Sequence, residues 1–532
     1  QLRITNILGE QMNAQNPLRR KELAAAISLL LAAQGAAFAQ DQSADQPDAG
    51  DDQLMEEVVV TGTFRASLIN QIDTKRVSTS IVDVISAEDI GKLPDSSIAE
   101  SLARLPGVAG ERRNGRVSGI SVRGFKEDYV GTTLNGRELL GMGDNRGVEY
   151  DLYPSEIVSG MVVYKTPDAT HMVQGIGGIV DIRTNRPLES APVLAVNATY
   201  EQNDLKSGNP DFDDNGYRMA FTFSDVFAND TLGLSFAAAT TKSPSQELQF
   251  RGWGYPTANP ANVADGVSLA GDEVVLGGHD SFVRSAELER DTLSGVLQWA
   301  PSDDITVTLD AVYIDFQEDK VFRGVEEAMA EWGGGDYTVT GAEPGFVRSG
   351  YIDGGFRSVI RNDGESKAAE LSTIGANVEW DLNDNWALKF DAARSDVEKT
   401  ITNIESYSGV GRANLLTQGP NTNRAWTMTP NGVMFSPHPT IPLVDLTDPN
   451  LIRLAGPQGW GGAMAPIEQF AEVTLPDGSV IGPPQAQDGF VNEPAFEEDL
   501  TTVRLEATRA FDWAMFKAVN FGVNYSDRSK FK

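Results

Sequence analysis

From about residue 190 onward, apolar and polar side chains alternate one by one in segments about ten residues long, and nothing else in the chain restricts its fold as tightly. Leu293, Gly295, Leu297 and Trp299 alternate with Thr292, Ser294 and Gln298. Pro301-Ser302-Asp303-Asp304 turns the chain, and Ile305, Val307, Leu309 and Ala311 alternate with Thr306, Thr308 and Asp310. A second hairpin sets Ile374, Ala376, Val378 and Trp380 before a turn and Trp386, Leu388, Phe390 and Ala392 after it. A third runs from Thr501 to Ser526 around Asp512.

A soluble sandwich also alternates, but three details favour a membrane barrel. Strands of about ten residues match a tilted spanning strand. The polar face carries ionised groups, which a wet lumen tolerates. Trp299, Trp380, Trp386 and Trp513 stand beside the short turns, as in an interfacial girdle. No stretch after Ala39 reaches the ~18 consecutive apolar residues of a transmembrane helix, so a membrane form of this chain has to be a barrel.

Nine strands are expected, at 193–202, 215–224, 231–242, 292–300, 305–316, 371–380, 386–397, 500–511 and 517–528. Short turns near 225–230, 301–304, 381–385 and 511–516 alternate with long loops at 203–214, 243–291, 317–370 and 398–499, the asymmetry of a barrel's two ends. Nine strands leave an open edge, which cannot persist in lipid. The expectation is therefore a C-terminally truncated chain holding part of a barrel.

The N-terminus reads as an export signal: Arg19-Arg20-Lys21, an apolar run from Leu23 to Ala33, and the small-x-small site Ala37-Phe38-Ala39, with Met12 as a candidate start. Residues 40–55 are polar and expected to be disordered. Residues 73–190 read as a compact α+β domain, in which Ser86-Ala87-Glu88-Asp89 starts one helix. Asp95 or Ser96 caps a second, with Ile98, Leu102 and Leu105 at helical spacing. The chain has no cysteine, which excludes thiol chemistry and disulfides, and its net charge of −33 argues against nucleic acid.

From residue 57 through that domain a series of motifs stands in order: Glu57-Val58-Val59-Val60-Thr61-Gly62 ahead of it, then Ile120-Ser121-Val122-Arg123-Gly124-Phe125, Thr133-Leu134-Asn135-Gly136-Arg137, Tyr153 to Val158 with Val162 to Pro167, and Gly175 to Ile182 within it. In this order and spacing they resemble the TonB-dependent receptor family. The resemblance implies a signal peptide (1–39), a leader carrying a TonB box (40–72), a plug domain (73–190) and a transmembrane antiparallel β-barrel (191–532), incomplete here against roughly 22 strands. It implies a monomer in the Gram-negative outer membrane, in contact with lipid. TonB, with its inner-membrane energising complex, would add Glu57, Val58, Val59, Val60, Thr61 and Gly62 to the edge of its own sheet. No room is left for an extra signalling domain. Arg123, Gly124, Asn135, Gly136, Glu156, Lys165, Gly177, Gly178 and Arg183 are the plug motif residues. They are expected to hold the plug rather than touch solute, with Arg123 and Arg183 paired to wall carboxylates such as Glu379 or Glu506.

No enzyme, cofactor or metal is expected. Asp211-Phe212-Asp213-Asp214-Asn215-Gly216 opens like a calcium loop but lacks its closing Glu, and His171, His279 and His438 are scattered. The loops carry aromatics suited to stacking on sugars or flat ligands, among them Trp253, Tyr255, Trp332, Trp426 and Trp460. Phe356 to Asp363 resembles an oligosaccharide-uptake subgroup of the family. The expected function is energised import of an oligosaccharide. The alternatives are an iron-siderophore receptor, an adhesion barrel without transport, or a non-functional remnant.

Overall fold

The computed structural model describes residues 72–86, 98–113, 116–166, 169–171, 175–331, 336–353, 358–410, 423–454, 473–474, 478, 480–481, 489–513 and 516–532. The signal segment, the polar leader and the helix expected after Ser86 lie outside them.

The N-terminal domain is built from β1 (Val82–Ser86), α1 (Ile98–Leu102), β2 (Val108–Arg113), β3 (Arg116–Val122), β4 (Val130–Leu134), β5 (Arg137–Glu138), β6 (Gly160–Tyr164) and β7 (Gly178–Arg183). Its sheet runs β1-β6-β7-β4-β5, and β2 and β3 form a separate hairpin. Helix α1 buries Ile98 and Leu102, four apart on one face, and ends before Pro106-Gly107.

The rest is dominated by one antiparallel meander. Its strands are β8 (Val193–Gln202), β9 (Asn215–Phe227), β10 (Leu232–Trp253), β11 (Gly278–Ser302) and β12 (Ile305–Ala328), then β15 (Val359–Asn383), β16 (Trp386–Val410), β23 (Ala495–Trp513) and β24 (Phe516–Phe531). They lie side by side in chain order. Each of the nine expected segments falls on one of them. The path is open: among the described residues, β8 pairs with β9 alone and β24 with β23 alone.

The strands outrun their expected ends. Strand β10 continues to Trp253, β11 begins at Gly278 and β12 reaches Ala328, so much of the expected loops 243–291 and 317–370 is ladder. Apolar alternation is diluted in these extensions by charged residues such as Glu247, Arg251, Glu287 and Asp319. The backbone hydrogen bonds between strands need no apolar side chain to continue.

The two faces of the meander differ. On one, Leu234, Leu297, Leu309, Ala376, Ala392, Val503 and Tyr525 stand in register across seven strands. All but the two alanines are exposed large side chains. Trp299, Trp380 and Trp513 are also exposed, next to the short turns. The other face is buried under the N-terminal domain. Ile314, Phe316, Leu371, Val397, Phe496 and Leu500 of the meander share one core with Ile120, Leu134, Tyr150, Tyr153 and Ile182 of the domain.

The long connections also fold. Strands β13 (Tyr337–Glu343) and β14 (Phe346–Ile352) come from the β12–β15 connection, and β17 (Arg424–Thr429) and β18 (Gly432–Ser436) from the β16–β23 connection. They make one sheet, β13-β14-β17-β18, over a second core of Val275, Leu276, Met329, Val339, Ile352 and Trp426. Short strands β19 (Ile452–Leu454) and β22 (Gly489–Asn492) add to β16, and β20 (Val473–Thr474) pairs with β21 (Val480–Ile481).

Candidate functional site

The contact between the N-terminal domain and the meander centres on the turn joining β4 to β5. Asn135 and Gly136 both have positive φ, 54° and 80°, the two-residue hairpin geometry for which Asn-Gly is the preferred pair. The turn is fixed from inside. Asp181 on β7 accepts the Gly136 N–H at 2.8 Å and the Thr133 hydroxyl at 2.7 Å, and Asn135 accepts the Thr184 N–H at 3.1 Å.

The residue after the turn, Arg137, is thereby aimed at the wall. Its Nη1 donates to both oxygens of Asp310 at 2.7 and 2.8 Å, and its Nε and Nη2 donate to Asp391, each at 2.8 Å. Asn377 donates to the same Asp391 carboxylate at 3.1 Å. Opposite Asp310 in the ladder stands Gly375, where a Cβ would lie 1.8 Å from Nη1, so only glycine leaves room for the guanidinium. Arg137 is 7% exposed, and both carboxylates are buried. Burial alone would lower the pKa of Arg137. Asp391 and Asp310 outweigh it and hold the guanidinium above its ordinary value.

Other contacts spread around the domain. Arg186 donates to Thr308 at 3.1 Å, and the Leu188 N–H to Gln298 at 3.0 Å. Lys399 donates to the Met142 carbonyl at 2.6 Å, Arg504 to the Thr170 carbonyl at 2.9 Å, and Arg528 to Glu138 at 2.8 Å.

The expected partners of Arg123 and Arg183 are corrected. Arg123 and Gly124, both with positive φ, form the turn that bridges Val122 to Phe125, and Arg123 Nη1 donates to the Lys165 carbonyl at 2.7 Å. Arg183 binds Asp181 at 3.0 Å and the Tyr164 hydroxyl at 3.1 Å. Glu379 pairs instead with Lys389 at 2.6 Å, and Glu506 pairs with Arg504. Both expected arginines lie on the domain's own strands and turns, too close to its carbonyls and Asp181 to reach the wall.

Among the other motif residues, Lys165 bridges Asp83 of β1 and the Pro106 carbonyl. Glu156 faces Arg218 of β9 at 3.8 Å. Gly177 and Gly178 stand where β7 begins beside β4.

The aromatic candidates divide. Tyr255 is 52% exposed, and Trp253 is half-buried with its indole N–H on Asp280 at 2.8 Å. Trp426, expected on an exposed loop, is 1% exposed: it lies on β17 and fills the second core. Glu57, Val58, Val59, Val60, Thr61, Gly62, Trp332 and Trp460 lie outside the described residues. The calcium-like carboxylates meet the chain's own cations: Asp211 meets Arg323 at 2.7 Å, Asp213 meets Lys242 at 3.4 Å and Asp214 meets Lys206 at 2.5 Å.

Sequence reasoning missed a buried junction beneath the β13-β14-β17-β18 sheet. Glu327 of β12 is contacted by His279 of β11 at 3.1 Å, by Ser358 at 2.5 Å and by Arg424 of β17 at 2.8 Å. His279 also stacks on Phe435 of β18, with 4.3 Å between ring centroids. These residues are far apart in sequence and belong to no local motif.

Residues 74–179 match the family model described as the TonB-dependent Receptor Plug Domain. The Arg137 turn and the glycines around β7 lie inside the matched span or border it. Among solved structures, the chain is similar to a mutant of the ferric enterobactin receptor PfeA from Pseudomonas aeruginosa, at 13% identity, with 82% of this chain and 72% of that one covered and a TM-score of 0.33. It is similar to BauA, the ferric preacinetobactin receptor from Acinetobacter baumannii, at 11% identity, 85% and 58% coverage and a TM-score of 0.36. It is also similar to P. aeruginosa FpvA bound to heterologous pyoverdines, at 10% identity, 86% and 52% coverage and a TM-score of 0.37.

Proposed function

We propose that the protein is an outer-membrane receptor that imports a solute using energy delivered by TonB. The observation that carries this reading is the plug domain seated on the buried face of the meander through Arg137, while the opposite face presents in-register apolar rows edged by tryptophans. The apolar rows contact lipid, and the plug side lines the lumen. Separating one buried ion pair costs several kcal/mol, so the open seat is a minor population and applied work is what would hold it open. The outer membrane has no nucleotide supply to provide that work. TonB supplies it in this reading by adding Glu57 to Gly62 to the edge of its own sheet.

The cargo in this reading is an oligosaccharide. The resemblance of residues 356–363 to the uptake subgroup and the exposed ring of Tyr255 on the connection after β10 support it. Gene-dependent growth on a panel of sugars and iron chelates tests the cargo. Growth on an oligosaccharide that is lost with the gene is the expected result. Loss confined to ferric chelates overturns the oligosaccharide and leaves the importer.

A further inference from the structure

Strands β11, β12, β15 and β16 run well past the apolar rows, and near their far ends four carboxylates crowd two arginines. Glu326 of β12 stands directly opposite Asp280 of β11. Arg361 of β15 donates to Glu326 at 2.8 Å, to Asp363 at 2.6 Å and to Glu405 of β16 at 2.8 Å. Its guanidinium also lies over the Tyr407 ring, 4.6 Å from the centroid. Arg251 of β10 donates to Asp280 at 2.7 Å. The next cation along, Arg284 of β11, is turned onto the Phe322 ring at 4.5 Å. Arg361 and Asp363 both come from the 356–363 stretch. The strand from Val307, beside Trp299, to Glu326 spans about 60 Å, over ~40 Å of height at a ~45° tilt, more than a ~30 Å hydrocarbon layer.

Four carboxylates against Arg361 and Arg251 leave an excess of negative charge in a half-buried wall, and it is unevenly served. Asp280 accepts from Arg251 and from the Trp253 indole. Asp363 accepts from Arg361 and from the Ser406 N–H at 3.0 Å, and Glu405 from Arg361 and the Tyr407 hydroxyl at 2.8 Å. Glu326 has Arg361 alone: its Oε2 is buried and meets no donor among the described residues. A buried carboxylate oxygen without a donor is costly as an anion, and a proton on it removes one excess charge. Burial pushes the Glu326 carboxyl up to about 7, against the pull of Arg361 and reinforced by Asp280 and Asp363. The next residue, Glu327, points the other way and holds His279, Ser358 and Arg424 beneath the β13-β14-β17-β18 sheet. Charge on Glu326 therefore acts on the strand that seats that sheet.

We infer that Glu326 is a proton-operated joint at the outer end of the wall: with its proton, β11, β12 and β15 pack closely there; without it, the strand ends and the seat of the β13-β14-β17-β18 sheet loosen. This takes from the import reading only that this end faces the outside. A carboxyl whose folded-state pKa is raised contributes stability that is full below the unfolded value, about 4.3, and is lost as pH rises from there to the folded value, here about 7.

The test is hydrogen exchange of the purified full chain in detergent at pH 5 and pH 8, corrected for intrinsic exchange, on the parent and on Glu326→Gln. In the parent, protection of residues 320–328 and 359–365 should fall at least about tenfold between the two pH values. Glu326→Gln, which cannot ionise, should keep its pH 5 protection at pH 8. If Glu326→Gln fails to fold, infrared titration of the parent decides, since a carboxyl should lose its proton between pH 6 and pH 8. No such loss, no fall in the parent, or an undiminished fall in Glu326→Gln, which would move the response to groups such as His279 or Asp363, overturns the joint. Exchange needs neither TonB nor solute, so failure here is separable from failure of the import reading.

Discussion

Arg137 and Asp391 stand 254 residues apart and meet in a two-pronged pair, Nε to Oδ1 and Nη2 to Oδ2, each at 2.8 Å. Asp310 completes the clamp on the other side of the guanidinium. Arg137→Ala would leave both carboxylates buried without a cation. We expect a loss of about 3–5 kcal/mol, the cost of breaking a buried pair from one side. A lower thermal midpoint and faster proteolysis of residues 74–179 in the purified protein are the measurements; an unchanged midpoint would show that the clamp holds nothing.

Gly375 tests the same clamp from the wall. Gly375→Ala places a Cβ where Nη1 lies, so it should destabilise the protein with Arg137 present and cost much less in Arg137→Ala. A double-mutant cycle by thermal unfolding reads this directly. Additive effects would mean that the glycine serves the strand rather than the arginine.

Asp83 on β1 pairs with Lys165 and Lys75 inside the N-terminal domain. Its burial by itself raises its pKa, but the ion pairs with Lys165 and Lys75 outweigh that and hold the carboxyl below the usual range. A depressed folded-state pKa contributes stability that is present above the unfolded value, about 4, and is lost as pH falls through the folded value. Asp83→Asn should therefore destabilise the protein near neutral pH and flatten the loss of stability below about pH 4. Parallel acid titrations of the two proteins followed by circular dichroism would show converging curves; curves offset equally at every pH would remove Asp83 from the acid response.

The two loop aromatics should separate cleanly. Trp426→Ala empties the second core and should cost about 3–5 kcal/mol in local stability, as large-to-small core changes do. Tyr255→Ala, at an exposed ring, should leave stability within about 0.5 kcal/mol. Hydrogen exchange of β13, β14, β17 and β18 reports the first effect. Equal protection in parent and Trp426→Ala would contradict the buried assignment.

Legibility in the sequence followed the range of the interactions. Strand identity was readable because one apolar face imposes a period of two, as in Leu293 to Trp299. The Asn135-Gly136 turn was readable because few residues tolerate two positive φ values in a row. Strand ends were not, since the ladder from Ser243 to Trp253 continues by backbone bonds without an apolar pattern. The wall partner was missed although Arg137 stood in a quoted motif: pairing across 254 residues leaves no local trace, and Arg123 and Arg183 were equally plausible by composition. Trp426 was misjudged for a related reason. A loop that folds into its own sheet buries its aromatics, and a sheet assembled from two distant connections has no sequence period to announce it.

The central claim is that work applied through Glu57 to Gly62 drives solute past the plug. The most direct measurement is uptake and surface binding of the growth-supporting solute in cells carrying either the parent protein or a deletion of residues 56–62. The account predicts that uptake vanishes while binding persists at the parental level. Uptake that continues unchanged without the segment would contradict it.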